Sequence, residues 1–127
     1  MVTWGVLWLN KGVWDGEELI PRDYIELATH QVNPNVPDAF YGYNWFVNAR
    51  QSLWPDAPQD AYGHPGSGTF KLSGEPSRTY LWICPSLDIV AAIVADRSAG
   101  FANDYLRVPQ AVTAEWIGWI VRSVVRG

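Results

Sequence analysis

Lysine is nearly missing from this chain. Lys11 and Lys71 are the only two, and Lys plus Arg total nine against thirteen Asp plus Glu. A net charge of −4 at pH 7, with the arginines scattered, leaves no basic stripe to release counterions from a phosphate backbone, which argues against nucleic acid as a partner. A single cysteine, Cys84, rules out an internal disulfide, and neither C-x-x-C nor a Cys/His zinc spacing occurs. Cys84 stands in an apolar run and reads as a buried small hydrophobe. No apolar run approaches the ~18–20 residues of a membrane span. No basic segment followed by an apolar one opens the chain as a signal peptide would, and the residues suggest no compartment. No cofactor-binding pattern is present: Gly63-x-x-Gly66-x-Gly68 is not followed by the Lys-bearing helix of a phosphate loop.

Aromatic and apolar residues fill the space that charge leaves. The chain is 48% hydrophobic and 17% charged, too apolar for a disordered tail. Eight tryptophans, at 4, 8, 14, 45, 54, 82, 116 and 119, can each bury on the order of 150–250 Å² and are expected in a core. A length of 127 residues suits one domain, or a piece of a larger one. The start inside apolar, helix-compatible sequence (Val2, Trp4, Val6, Leu7, Leu9) favours the second expectation.

Residues 1–31 read as helical. Apolar offsets predict a helix from Val2 to Lys11, with Asn10-Lys11-Gly12 as its stop and Gly12 in the left-handed cap. Val13-Trp14-Asp15-Gly16 reads as a tight turn. A second helix has Pro21 in its first turn, acidic residues Asp23 and Glu26 early, and an end near Gln31. His30 reads as a solvated residue at that helix's C-terminus.

Residues 40–127 read as sheet plus C-terminal helix. Loops are expected over 33–38, 51–60 and 98–106, and Tyr41 to Asn48 is expected as a strand. Ala61 to Gly68 is Gly-rich and reads as a strand end or a bend where backbone approaches something closely. Arg78–Cys84 and Ile89–Asp96, joined by Pro85-Ser86-Leu87-Asp88, form the clearest hairpin. The nearly unbroken apolar run from Ile89 predicts a central strand covered on both faces. A helix from 108 or 109 to about 126 has Val112, Trp116, Trp119 and Ile120 as its main face, widened by Ile117, Val121 and Val124. The fold class is therefore α+β: an antiparallel sheet of about three to four strands, a long C-terminal helix packed on it, and two N-terminal helices.

From residue types alone, no catalytic set is complete. Ser67 with His64 as its base lacks a nameable orienting carboxylate. Asp88 or Asp96 with Glu75 reads as solvated turn and strand-end acids rather than a working pair. His64 beside glycine also has the ordinary reading of a loop histidine.

Four segments in order carry a resemblance: Trp4 to Pro21, Tyr41-Gly-Tyr-Asn-Trp-Phe-Val, Gly63-His64-Pro65-Gly66, and Pro85-Ser-Leu-Asp-Ile-Val. Together they resemble the C-terminal portion of the serine β-lactamase-like hydrolases, which include class C β-lactamases, esterases and D-amino-acid peptidases. The resemblance implies a partial β-lactamase/transpeptidase-like fold and acyl transfer to water. It also implies three chemical parts: a Ser-x-x-Lys, a Tyr-x-Asn, and a Lys-Thr-Gly or His-x-Gly strand facing the substrate. His64-Pro65-Gly66 fits the third. By resemblance, His64 faces a substrate carboxylate or developing charge, Gly66 admits the substrate backbone, and the Ser67 N–H is one oxyanion donor. The other two parts are absent. Trp8 and Gly68 stand three residues before the two lysines, and no Tyr is followed two residues later by Asn. The resemblance thus implies inactivity alone, with the missing N-terminal half or a second copy of the chain as partner. A small ester or amide is the substrate only once the site is completed. The rival expectation is a non-catalytic module that self-associates or binds a small ligand. A third is a new enzyme built on His64 with Asp or Tyr neighbours.

Overall fold

Strand alternation organises the structure. In β5 (Thr79–Cys84), Leu81 and Ile83 face one way, and Trp82 and Cys84 the other. A period of two sends successive side chains to opposite faces, so this one strand seeds two cores. The computed structural model describes residues 1–30, 40–66, 79–94 and 109–125. The loops expected over 33–38 and 98–106 lie outside them, as do Ser67, Lys71, Glu75 and Asp96.

Among the described residues, the main sheet is antiparallel with four strands in the order β3 (Phe46–Val47), β4 (Tyr62–Gly66), β5 and β6 (Ile89–Val94). Its register pairs Tyr62 with Ile83, His64 with Leu81, and Cys84 with Ile89. On one face, Leu81, Ile83, Tyr62 and Val47 pack with Trp8 of α1 (Val2–Leu9) and with Ile25 and Ala28 of α2 (Arg22–Ala28). On the other, Trp82 and Cys84 pack with Leu53, Trp54, Ala57 and Ala61, and with Ile117 and Val121 of α3 (Pro109–Val125). The α+β class, the antiparallel sheet and the C-terminal helix on its face agree with the sequence expectation.

The first helix stops as a Schellman motif. Gly12 N–H donates to Leu7 O at 2.9 Å, and Lys11 N–H to Trp8 O at 3.0 Å. Lys11, at φ 54°, takes the left-handed position expected of Gly12. Gly12 follows at φ 86°, and a Cβ there would stand 2.0 Å from Ile20 O, so glycine is required. The tight turn is a two-residue hairpin between β1 (Val13–Trp14) and β2 (Glu17–Glu18), with Asp15 and Gly16 both at positive φ. Pro21 caps α2 from outside, and the helix ends at Ala28, short of the expected Gln31. Thr29 donates its hydroxyl back to Ile25 O at 2.9 Å at that end.

Three expectations need correction. The strand expected over Tyr41–Asn48 shrinks to Phe46–Val47, with Tyr41 in an isolated bridge to Phe46. The aromatic run folds back on itself: Gly42 N–H donates to Trp45 O at 2.7 Å, and Asn44 takes φ 65°. Second, β6 is not central among the described strands. It stands last in the sheet order and is half-buried, while β5 carries the fully buried residues. Its apolar run reports cover on both faces, with Val90 and Ala92 against one cluster and Ile89 and Ala91 against the other. Cover on both faces does not require a neighbour on both edges. Third, α3 turns its other side inward. Ile117 and Val121 are buried, while Trp116 and Trp119 are exposed.

Candidate functional site

His64 sits in β4 at a change in the strand's surroundings. β3 pairs only with Tyr62 and Gly63, so among the described residues His64 to Gly66 have a neighbouring strand, β5, on one edge alone. Gly66 ends the strand opposite Thr79. Pro65, which has no N–H to donate, lies in this half-open stretch, where edge strands tolerate proline.

The half-buried His64 ring is held by two aromatic neighbours. Its Nε2 lies 2.9 Å from the Tyr41 hydroxyl. The Phe46 ring centroid is 5.7 Å from the imidazole, and Tyr41 and Phe46 meet edge to face at 4.7 Å. Burial raises the Tyr41 hydroxyl above its ordinary pKa and keeps it protonated. Tyr41 is fixed in turn by its bridge to Phe46 and by the turn after it. A Cβ on Gly42 would stand 2.3 Å from Ala28 O and 2.6 Å from His30 O, so this loop lies directly on the end of α2.

The sequence pointed to His64 and Gly66, and both lie on the strand as expected. Ser67 lies outside the described residues. The sequence did not point to Tyr41 as a partner of His64. Twenty-three positions separate them, and only the folding back of residues 41–46 brings them together. His30 is exposed beyond α2, its Nδ1 donating to Glu26 O.

The described nucleophile-bearing groups of the β5–β6 hairpin lie away from His64. Cys84 is fully buried, and burial pushes its thiol up. Ser86 donates its backbone N–H and its hydroxyl to the Asp60 carboxylate, at 2.8 and 2.9 Å. This carboxylate caps the 3₁₀ turn Pro85–Leu87 and ties residues 51–60 to the hairpin. Cys84 and Leu81, the residue opposite His64, are three positions apart on β5, roughly 10 Å along the strand. Among the described residues, no three His, Cys, Asp or Glu side chains converge to hold a metal ion. An open groove of about 270 Å³, lined by Thr3, Trp4, Leu7, Trp14 and Leu19, holds no titratable group.

Comparison with family models, curated proteins and solved structures finds no match to this chain. No described helix is long and apolar enough to cross a membrane.

Proposed function

We propose that this chain is the C-terminal portion of a serine β-lactamase-like hydrolase, whose full reaction is acyl transfer to water from a β-lactam, an ester or a D-amino-acid peptide. One observation carries the reading: His64-Pro65-Gly66 lies on an antiparallel strand just where β3 ends and one edge of β4 opens. An edge of this kind lets a substrate lie alongside the strand, with a histidine and a glycine at the contact. His64 faces the substrate carboxylate or developing charge, Gly66 admits the backbone, and the Ser67 N–H donates to the oxyanion. The attacking serine and its base come from a segment carrying Ser-x-x-Lys and Tyr-x-Asn, so the chain alone is silent.

The test is hydrolysis of a chromogenic cephalosporin and of nitrophenyl esters. The 127-residue chain is assayed alone and joined to such a segment encoded by the same gene. The chain alone is expected to turn over neither substrate and to resist a serine-directed covalent probe. The joined protein should turn over at least one, and His64→Ala should cost it roughly 10²-fold. Stoichiometric labelling of the chain alone, or indifference of the joined protein to His64→Ala, overturns the reading. A gene encoding no such segment moves the assignment to the second reading.

That second reading is a non-catalytic module that associates with itself. It is favoured by the exposure of Trp116, Trp119, Val124 and Val125 along α3.

A further inference from the structure

We propose that Tyr41 is a positioning residue for His64. Its hydroxyl donates to Nε2, holds the neutral ring in the tautomer protonated on Nδ1, and leaves Nδ1–H as the one ring donor that His64 offers a substrate. The 2.9 Å contact fixes the pair but not its direction. Chemistry supplies the direction. A phenol oxygen shares its lone pairs with the ring and accepts poorly, whereas a neutral imidazole nitrogen accepts well and a phenol O–H donates well. The raised pKa of the Tyr41 hydroxyl keeps that proton in place. The tautomer of a histidine follows from the bond its other nitrogen makes, so an acceptor bond at Nε2 puts the proton on Nδ1.

The placement is a product of the fold. Tyr41 is locked by its bridge and edge-to-face contact with Phe46, and Phe46 also lies against the imidazole. The histidine therefore has a ring on one side, a hydroxyl on one nitrogen, and little freedom to turn over. For acyl transfer, a donor aimed in advance needs no reorganisation when charge develops. The role toward substrate rests on the reading proposed above; the tautomer does not.

Nitrogen NMR of the full chain with ¹⁵N-labelled histidine decides the matter, well above the ordinary histidine pKa of about 6.5. The His30→Gln variant assigns the two rings. His64 is expected to show an unprotonated Nε2 and a protonated Nδ1 as its major tautomer, the reverse of free histidine. Tyr41→Phe keeps the ring against Phe46 and removes only the hydroxyl. It should swing the ring toward the Nε2-protonated form that free histidine favours, while circular dichroism stays unchanged. A wild-type ring protonated on Nε2 overturns the proposal by itself, whether or not the variant folds. So does a Tyr41→Phe ring with an unchanged tautomer ratio. If the tautomer is as expected but His64→Ala leaves hydrolysis by the joined protein intact, the hydrolase reading fails and the positioning stands. If His64→Ala abolishes hydrolysis but the wild-type ring is protonated on Nε2, the positioning fails and the hydrolase reading stands.

Discussion

Asn48 shows how one buried polar side chain can set a whole loop. It is fully buried. Its amide nitrogen faces the carbonyls of Trp54, Ala57 and Pro58 at 2.9, 3.2 and 3.0 Å, and its oxygen accepts from Trp54 N–H at 3.1 Å. A loop with two prolines has few backbone donors, so carbonyls left over inside the protein need a donor from elsewhere. Tyr62 and Tyr80 lie near that loop, and their hydroxyls make stability depend on alkaline pH. Burial raises the pKa of both, and the Asp60 charge raises Tyr62 further. Above the unfolded value of about 10, the unfolded chain releases protons that the folded chain keeps. The stabilising contribution is therefore whole below pH ~10 and is lost as pH rises past it, at up to about 1.4 kcal/mol per pH unit for each tyrosine. Urea midpoints measured across this range should fall, and Tyr62→Phe should fall about half as steeply. Parallel curves for the two proteins would sink the claim.

At the scale of elements, α1 lies close on the sheet. A Cβ at Gly5 would stand 2.5 Å from Val90 Cγ1 and 3.0 Å from Leu81 Cδ1. Gly5→Ala sets two effects against each other. Helix propensity favours alanine by about 0.8–1 kcal/mol. Overpacking a core position costs about 1–3 kcal/mol. A valine methyl on a neighbouring strand cannot swing aside as a long side chain can, so overpacking should win and leave the variant about 1 kcal/mol less stable. Val90→Ala removes the methyls in the way. The pair should therefore be more stable than the two single losses predict, by about 1 kcal/mol in a double-mutant cycle of denaturant midpoints. Additivity within a few tenths would mean that α1 shifts away freely.

The same contacts explain what could be read from sequence. Helix stops and hairpin turns were legible, because left-handed positions and proline act within a few residues. Even there, Lys11 rather than Gly12 took the first left-handed position. The β5–β6 pair was legible because both strands are local and apolar. The rank of β6 in the sheet was not, since apolarity reports cover on faces and is blind to edges. Nor was the inward side of α3, whose hydrophobic residues run almost all the way round. At the site, His64 was visible through its motif. Tyr41 was not, because Gly42 and Asn44 turned an apparent strand into a fold-back.

For the molecule as a whole, the tryptophans divide evenly. Trp8, Trp45, Trp54 and Trp82 build the two cores as expected, but Trp4, Trp14, Trp116 and Trp119 are exposed. On α3 the exposed Trp116 and Trp119 share one side at helical spacing, beside the half-buried Ile120. Ile117 and Val121, one turn apart, hold the opposite side against the sheet. Arg122 pairs with Asp56 of the 51–60 loop beside the helix. Two large rings on one stripe approach the few hundred Å² at which an exposed apolar patch marks a contact surface. Under the second reading proposed above, self-association runs through α3, with each helix covering the other's tryptophans about a twofold axis. Sedimentation of the purified chain should show a monomer–dimer equilibrium that moves to dimer as concentration rises. Trp119→Glu, which puts a charge at the centre of the stripe and touches neither core, should leave circular dichroism unchanged and hold the chain monomeric. A wild-type chain that stays monomeric into the high micromolar range sinks the idea. So does a Trp119→Glu dimer as tight as the wild type, which would place the contact elsewhere.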